Sequence, residues 1–276
     1  MGRGAVADQT LPDAPGIDAV SIADLTATAV RAASARLRRT ERPDMSGRIA
    51  PVVPDGAGLA LADNCAVRGT GFPTCQGCAA FSRLMVTERS HDAFLSAPAE
   101  RVATLEVGHV PDPATKIDPA ADEGQPEQDL HPVTLVRDEG AERVTGDNRA
   151  NRNTKGDLLH PALLVGAPGD MRSATQKAFG PVACAARMQD CDGARTVANG
   201  TESGLCARIM TRNPARATHV RQAAGAGIAM VNLPTAGVGF HIPAGGCKTS
   251  GPGEQGTCAA KYVAPAKRAC TLAGKP

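Results

Sequence analysis

Aromatic side chains are almost missing from this chain, and that limits what it can fold into. Its 276 residues include five Phe, one Tyr and no Trp. A buried aromatic ring removes roughly 150–250 Å² from water and dominates most cores. Here the core has to come from Ala, Val and Leu, which bury less area each. Thirty Gly and 21 Pro tighten the constraint. Gly loses the most backbone freedom on folding, and Pro interrupts regular elements. The expectation is a weakly stabilised fold of small side chains, with the seven Met filling gaps.

The rest of the composition is ordinary. Apolar residues make up 42% and charged residues 21%, so charge does not hold the chain open. The length suits one or two domains. Net charge is +2, with basic and acidic residues interspersed. That leaves no electrostatic footprint for nucleic acid or a membrane surface. No apolar run approaches the roughly eighteen residues of a membrane helix. The N-terminal region lacks the basic-then-apolar order of a secretory signal. Nine Cys stand at positions 65, 75, 78, 184, 191, 206, 247, 258 and 270. An odd number scattered through a long chain predicts reduced thiols in a cytoplasm, not a disulfide framework.

Hydropathy periodicity predicts strands alternating with helices. Ile17 to Ile22 reads as a short buried strand, and 27–39, ATAVRAASARLRR, as a helix with a basic end. The prolines around 51–54, PVVP, restrict that apolar stretch to a sheet edge or a strand end. Residues 57–68 look helical, and Arg83 to Thr87 is a strand. Ser90 is placed to N-cap a helix running to about Val107. Pro98 interrupts that helix, and Pro126 and Pro132 interrupt a second one between Gly124 and Gly140. An interior helix proline costs about 3 kcal/mol. In the second half, strands are expected at 162–165, 182–187, 205–211 and 228–232. Helices are expected at 190–199 and from Asn213-Pro214 to about Ala224. The alternation implies an α/β sheet.

Cys75-Gln76-Gly77-Cys78 is the first chemical candidate. A zinc site needs a second pair of ligands at suitable spacing, and none is visible. A redox dithiol of the thioredoxin kind sits between a strand and a helix, whereas this pair precedes a strand. A nucleophilic Cys in a loop leading into that strand is the third reading, and spacing alone favours an inert loop Cys. The histidines, 91, 109, 131, 160, 219 and 241, are unclustered. No metal site is expected.

The segment Cys78-Ala79-Ala80-Phe81-Ser82-Arg83-Leu84 resembles the nucleophile motif of the aldehyde dehydrogenase superfamily, G-Q-x-C-T-A-x-x-R-L. Asp44-Met45-Ser46-Gly47-Arg48, upstream, is similar to its E-L-G-G-K segment, and the Asp44-to-Cys78 separation is the family's. Phe179-Gly180-Pro181-Val182 resembles E-I-F-G-P. Ala198 to Leu205 resembles A-N-x-T-x-Y-G-L. Val231-Asn232 and Pro243-Ala244-Gly245-Gly246 resemble the closing W-x-N and P-F-G-G motifs. These ordered motifs cover nearly the whole chain. Val231 to Val238, His241, Val107-Gly108-His109 and Glu127 to Leu130 point to the members that oxidise 2-oxoglutarate semialdehyde (2,5-dioxopentanoate).

The resemblance implies an α/β fold, an aldehyde-dehydrogenase-like catalytic domain with a remnant of the Rossmann-like cofactor domain. It divides the chain into a cofactor-domain remnant over 1–43, a catalytic domain over 44–256 and an oligomerisation tail over 257–276. It also implies NAD or NADP as cofactor and a small aldehyde as substrate. Cys78 would be the nucleophile and Asp44 the base that activates water. Thr26, Met45, Lys177 and Phe179 would face the cofactor. The chain would form a homo-oligomer or pair with a full-length relative. Some positions depart from the motifs. Asp44 stands for Glu, Asp24 and Leu25 fall in the phosphate turn, Lys177 stands for a ribose-holding Glu, and Cys247 for Arg. Met1 aligns late in the cofactor domain. The chain is therefore also expected as a truncated, degenerate form whose role is oligomerisation.

Overall fold

The computed structural model describes residues 19–22, 40–43, 50–71, 76–77, 80–120, 123–138, 142–146, 148–150, 156–167, 180–233, 242, 244–250 and 254–255. A seven-stranded sheet organises them. Its strands are β3 (Pro51–Val53), β4 (Arg83–Thr87), β5 (Glu142–Thr145), β6 (Ala162–Ala167), β7 (Val182–Met188), β9 (Cys206–Ile209) and β10 (Ile228–Val231). Their order across the sheet is β10-β9-β3-β4-β7-β6-β5. All pairs are parallel except β5–β6 at one edge. A separate parallel pair joins β1 (Ala19–Ile22) to β2 (Thr40–Pro43). Two short antiparallel pairs complete the strands. β8 (Ser203–Gly204) pairs with β12 (Cys247–Lys248), and β11 (Ala244–Gly245) with β13 (Glu254–Gln255).

Helices cover both faces of the sheet, as parallel strands require. They are α1 (Leu59–Gly71), α2 (Glu88–Ala103), α3 (Gln125–Asp138), α4 (Cys191–Asn199) and α5 (Pro214–Ala223). Strand alternation sorts the side chains between the faces. Val53, Leu84 and Val86 pack with Ala62, Cys65 and Ala66 of α1 and Phe94 and Leu95 of α2. Val52 and Met85 pack on the other face with Ala194 of α4 and Val220 of α5. β4 is buried along its whole length. The first cluster is mostly Ala, Val, Leu and Met, and its aromatic members are Phe81 and Phe94, as the composition led us to expect. No helix among the described residues is long and apolar enough to cross a membrane.

Several expected elements shift, each for a local reason. PVVP forms β3, an interior strand between β9 and β4, which meets the second of the two places expected for its prolines, the strand ends. Its prolines fall at the first strand position and just after the last, so the central rungs keep their N–H donors. The helix expected to begin at Ser90 begins at Glu88, because β4 runs directly into it with Thr87 as N-cap. Ser90 is buried in the first turn, and Thr87 Oγ1 donates to Asp55 Oδ1 at 2.5 Å. Pro98 and Pro132 do not end their helices, which run continuously to Ala103 and Asp138. Pro126 falls in the first turn, where its missing N–H has no partner to lose. The Asn213-Pro214 start is confirmed: Asn213 Oδ1 accepts from the N–H groups of Ala215 and Arg216. Asp190 caps α4 through Gly193 N–H at 2.7 Å. The helix expected over 27–39 lies outside the described residues.

Phe94 is 1% exposed in a core otherwise built of small side chains. Phe94→Ala is expected to remove about 3–5 kcal/mol of stability, and Phe94→Leu less than half of that. Urea unfolding followed by circular dichroism checks both.

Candidate active site

Three stretches that carry sequence motifs lead directly into adjacent strands. The Asp44 stretch leads into β3, the Cys78 stretch into β4, and the Lys177–Phe179 stretch into β7. These strands are neighbours and parallel, so the chain enters all three at one common edge of the sheet. Asp44, Met45, Cys78, Lys177 and Phe179, and Thr26 after β1, lie outside the described residues, as does Cys75. The residues that frame them are described.

Between the two motif cysteines, Gln76 and Gly77 are half-buried. Ala80 N–H donates to Gly77 O at 3.0 Å, closing a turn that delivers the chain to β4. Phe81 follows at 2% exposure. Its ring fills the space beside Gly69, where any Cβ would overlap it. Ser82 O then accepts from Cys184 N–H at 2.8 Å. The start of β4 is thus locked to the start of β7.

Before β7, Val182 N–H donates to Gly180 O and Ala162 N–H to Pro181 O, both at 2.7 Å. Gly180 lies flat against the carboxylate of Asp129, which is 1% exposed and accepts from Gln125 Nε2 at 3.0 Å. A Cβ on Gly180 would overlap Asp129 Oδ2. The sequence grouped Asp129 with a motif but gave no sign of this contact. It is a backbone-to-carboxylate packing that only glycine permits.

The A-N-x-T-x-x-G-L and G-G-x-K stretches are tied into one unit. Asn199 accepts from Gly225 N–H at 2.8 Å and donates to Ala223 O at 2.9 Å. Lys248 adopts a left-handed backbone, φ 57°, and its Nζ donates to Asn199 O at 2.7 Å and Thr201 O at 3.0 Å. A cation on the last carbonyl of α4 and on the turn that follows it complements the helix dipole. Cys247 Sγ lies 3.3 Å from Gly204 O and 3.2 Å from Gly225 O. The thiol therefore fills the place that the motif gives to Arg with a short structural donor. Gly204 N–H donates to Ser250 Oγ at 3.0 Å.

Arg208 on β9 is a buried cation that the sequence did not single out. It is 1% exposed, with Nε 3.4 Å from Met230 Sδ. Burial holds its pKa below the ordinary value. Burial also pushes the thiols of Cys65 and Cys191 up, partly offset at Cys65 by Arg208 and Arg68. Among the described residues, Cys65, Cys184, Cys191, Cys206 and Cys247 take part in no disulfide. No group of three or more His, Cys, Asp or Glu among the described residues could hold a metal ion. His91 is buried, with Nδ1 2.8 Å from Asp92 Oδ1.

The chain matches the aldehyde dehydrogenase family over residues 1–264 and belongs to it. It is 31% identical over 259 residues to the 2,5-dioxopentanoate dehydrogenase of Saccharolobus solfataricus, covering 91% of this chain and 53% of that protein. It is 31% identical over 236 residues to the betaine aldehyde dehydrogenase of Sinorhizobium fredii, covering 85% and 48%. A crystal structure of a Burkholderia cenocepacia protein assigned to the aldehyde dehydrogenases matches with a TM-score of 0.87 at 28% identity, covering 93% and 53%. The NAD+ complex of betaine aldehyde dehydrogenase from Staphylococcus aureus shares the fold, with a TM-score of 0.84 at 24% identity, covering 89% and 50%. The chain spans about half the length of the curated relatives it matches.

Two outcomes follow from the described frame. Gly180→Ala is expected to cost about 1–3 kcal/mol through overpacking, and Asp129→Ala in the same chain to recover part of it. Thermal unfolding of the single and double variants measures this coupling. Burial holds the pKa values of Cys65 and Cys191 above the ordinary thiol value, so less of each stands as thiolate at neutral pH than in an exposed cysteine. Iodoacetamide labelling of the native protein at pH 7.5, read by peptide mass spectrometry, is expected to leave both unmodified.

Proposed function

We propose that the common edge of β3, β4 and β7 is the active-site edge of an NAD- or NADP-dependent aldehyde oxidation. The single observation that carries this reading is the adjacency of those parallel strands. Each is entered from a stretch bearing one of the three family motifs. On this reading residues 44–256 belong to the catalytic domain, 1–43 to the cofactor domain and 257–276 to an oligomerisation segment.

Cys78 attacks the aldehyde carbon as a thiolate and forms a thiohemiacetal. The backbone N–H of Cys78 donates to the developing oxyanion, the type of contact worth roughly 10²–10³ in rate. The nicotinamide cofactor, when bound, supplies the hydride acceptor that turns the adduct into a thioester. Asp44 then takes a proton from water, which hydrolyses the thioester and frees Cys78. Asp is one methylene shorter than the Glu of the motif, and a misplacement near 1 Å lowers a rate by on the order of a hundredfold.

The cofactor's frame has support of its own. β1 and β2 are parallel, so the chain between them must cross over. Thr26 falls at the start of that crossover, where nucleotide-binding β-α-β units place phosphate. Met45, Lys177 and Phe179 are the other residues that this reading assigns to the cofactor. Asp24 brings a like charge towards a phosphate, which weakens binding without removing the frame. The substrate class is a small aldehyde, and the 31% identity to a 2,5-dioxopentanoate dehydrogenase supports 2-oxoglutarate semialdehyde.

The departures from the family motifs at Asp24, Leu25, Asp44, Lys177 and Cys247 favour a second reading, in which this chain is a degenerate partner of a full-length relative. Calorimetric titration with NAD and with NADP separates the two. The catalytic reading expects binding of one of them at or below millimolar concentration. It also expects turnover of 2-oxoglutarate semialdehyde that Cys78→Ala lowers at least a hundredfold. Absence of binding by both cofactors overturns it.

A further inference from the structure

The sheet has a second edge, the one at which its parallel strands end. β3 and β9 are neighbours there, and their connections leave to opposite faces. The helix after β3, α1, packs on the face of Val53, and the helix after β9, α5, packs on the face of Val52. In open α/β sheets such a reversal leaves a crevice outside the carboxyl ends of the strands, and ligands bind in it. The active-site edge proposed above is the other one, where the strands begin. β4, five residues long, holds the two edges about 16 Å apart.

A cavity of about 450 Å³ opens at this carboxyl edge, between the first turns of α4 and α5. Small-molecule sites typically enclose ~300–1,000 Å³. Its floor is apolar. Val220 is buried, half-buried Cys191 packs on the same cluster, and Ala215 adds a methyl group. Its rim is charged, and both acids there already face donors. Asp190 Oδ1 accepts from Gly193 N–H at 2.7 Å, and Asp192 Oδ1 lies 3.4 Å from Arg195 Nη2 and 3.9 Å from His219 Nε2.

Arg216 is different. Its Nη1 donates to Asp55 O at 2.8 Å, on the loop after β3, and among the described residues it pairs with no carboxylate. It therefore joins the cavity to the crevice between β3 and β9. A guanidinium carries five N–H donors, and that bond uses one. The start of α5, which carries Arg216, is rigidly placed. Asn232 clamps Thr211, its Oδ1 accepting from Thr211 N–H and its Nδ2 donating to Thr211 O, both at 2.8 Å. Thr211 Oγ1 accepts from Asn213 N–H, and Asn213 Oδ1 caps Ala215 and Arg216.

We infer that the cavity between α4 and α5 is a second binding site, one for a small carboxylate with an aliphatic body. The carboxylate takes the remaining donors of Arg216, and the body lies over Cys191, Ala215 and Val220. The positive end of the α4 dipole favours the same placement. Phosphate fits worse, since it brings more negative charge against Asp190 and Asp192 and makes no use of the floor. The inference is independent of the proposed function, because none of the residues assigned to catalysis or cofactor lines the cavity.

The test titrates the full chain with hexanoate, hexylammonium and inorganic phosphate, followed by calorimetry and by amide NMR shifts. Hexanoate is expected to bind with a Kd of ~1 mM or tighter. It shifts the amides of 190–195 and 214–220 and leaves those of β5 in place. Hexylammonium and phosphate bind at least tenfold more weakly. Arg216→Met keeps the aliphatic stem without the charge and lowers hexanoate affinity at least fivefold, whereas Arg216→Lys stays within threefold of the parent. Ala215→Phe, at an exposed position, fills the cavity and also costs at least fivefold. NAD and NADP titrations are the same with and without hexanoate. Absence of shifts at millimolar hexanoate overturns the inference, and so do shifts confined to other elements. Hexylammonium binding as tightly as hexanoate overturns the role of Arg216, and tighter phosphate binding overturns the carboxylate class. Should a variant fail to fold, the shifts in the parent chain still decide.

Discussion

The parallel ladder through β3, β4 and β7 is the constraint on which the rest of this protein depends. Arg83 pairs with Cys184 and Val52 with Met85, and this register brings three distant stretches of sequence to one edge. No side chain contributes to that convergence. It follows from strand direction alone, since parallel neighbours must begin on the same side. What side chains add is the fixing of each start. Phe81 seats β4 against α1, and the Ser82–Cys184 bond locks it to β7. The Gly180–Asp129 contact seats the stretch that enters β7.

The opposite margin of the seven-stranded sheet is held by different means. There the polar side chains of Asn199, Lys248 and Asn232 bond to backbone carbonyls and amides and stand in for secondary structure. Each ends an element whose last groups would otherwise be buried without partners. This explains why two stretches that look like catalytic-family motifs, around Asn199 and Lys248, turn out to hold one another. Their importance in this chain is architectural, and Cys247 fits into it as a compact thiol between Gly204 and Gly225.

The legibility of the sequence follows the range of the interactions. Asn213-Pro214 and Asp190 were readable because a cap is a bond across two or three residues. β4 was readable because five consecutive buried side chains leave no other assignment. Ser90 misled because the helix start depends on where β4 ends, and Thr87 was already committed to Asp55. PVVP was readable as a strand with proline at its ends, since the rule against proline in a sheet applies to interior rungs, which these prolines avoid. Of the site, the motif residue types were readable by resemblance, and their convergence awaited the strand order. The Asp129–Gly180 contact, buried Arg208 and the Asn232 clamp each join residues more than twenty positions apart. Each turns on a distance that spacing does not encode.

The small side chains lining β7 carry a thermodynamic consequence. Ala183, Ala185 and Ala186 sit at 5% exposure or less in the middle of the sheet. Alanine gives up no rotamer freedom when it is buried, so this part of the core orders itself at little entropic cost. It also withdraws less apolar surface from water than the branched or aromatic residues usual there, and the heat capacity of unfolding follows that surface. The per-residue value is expected to fall below the customary ~12–15 cal/mol/K, and a lower value flattens the dependence of stability on temperature. A core poor in rings thus exchanges height for breadth, with modest stability that varies little between cold and warm conditions.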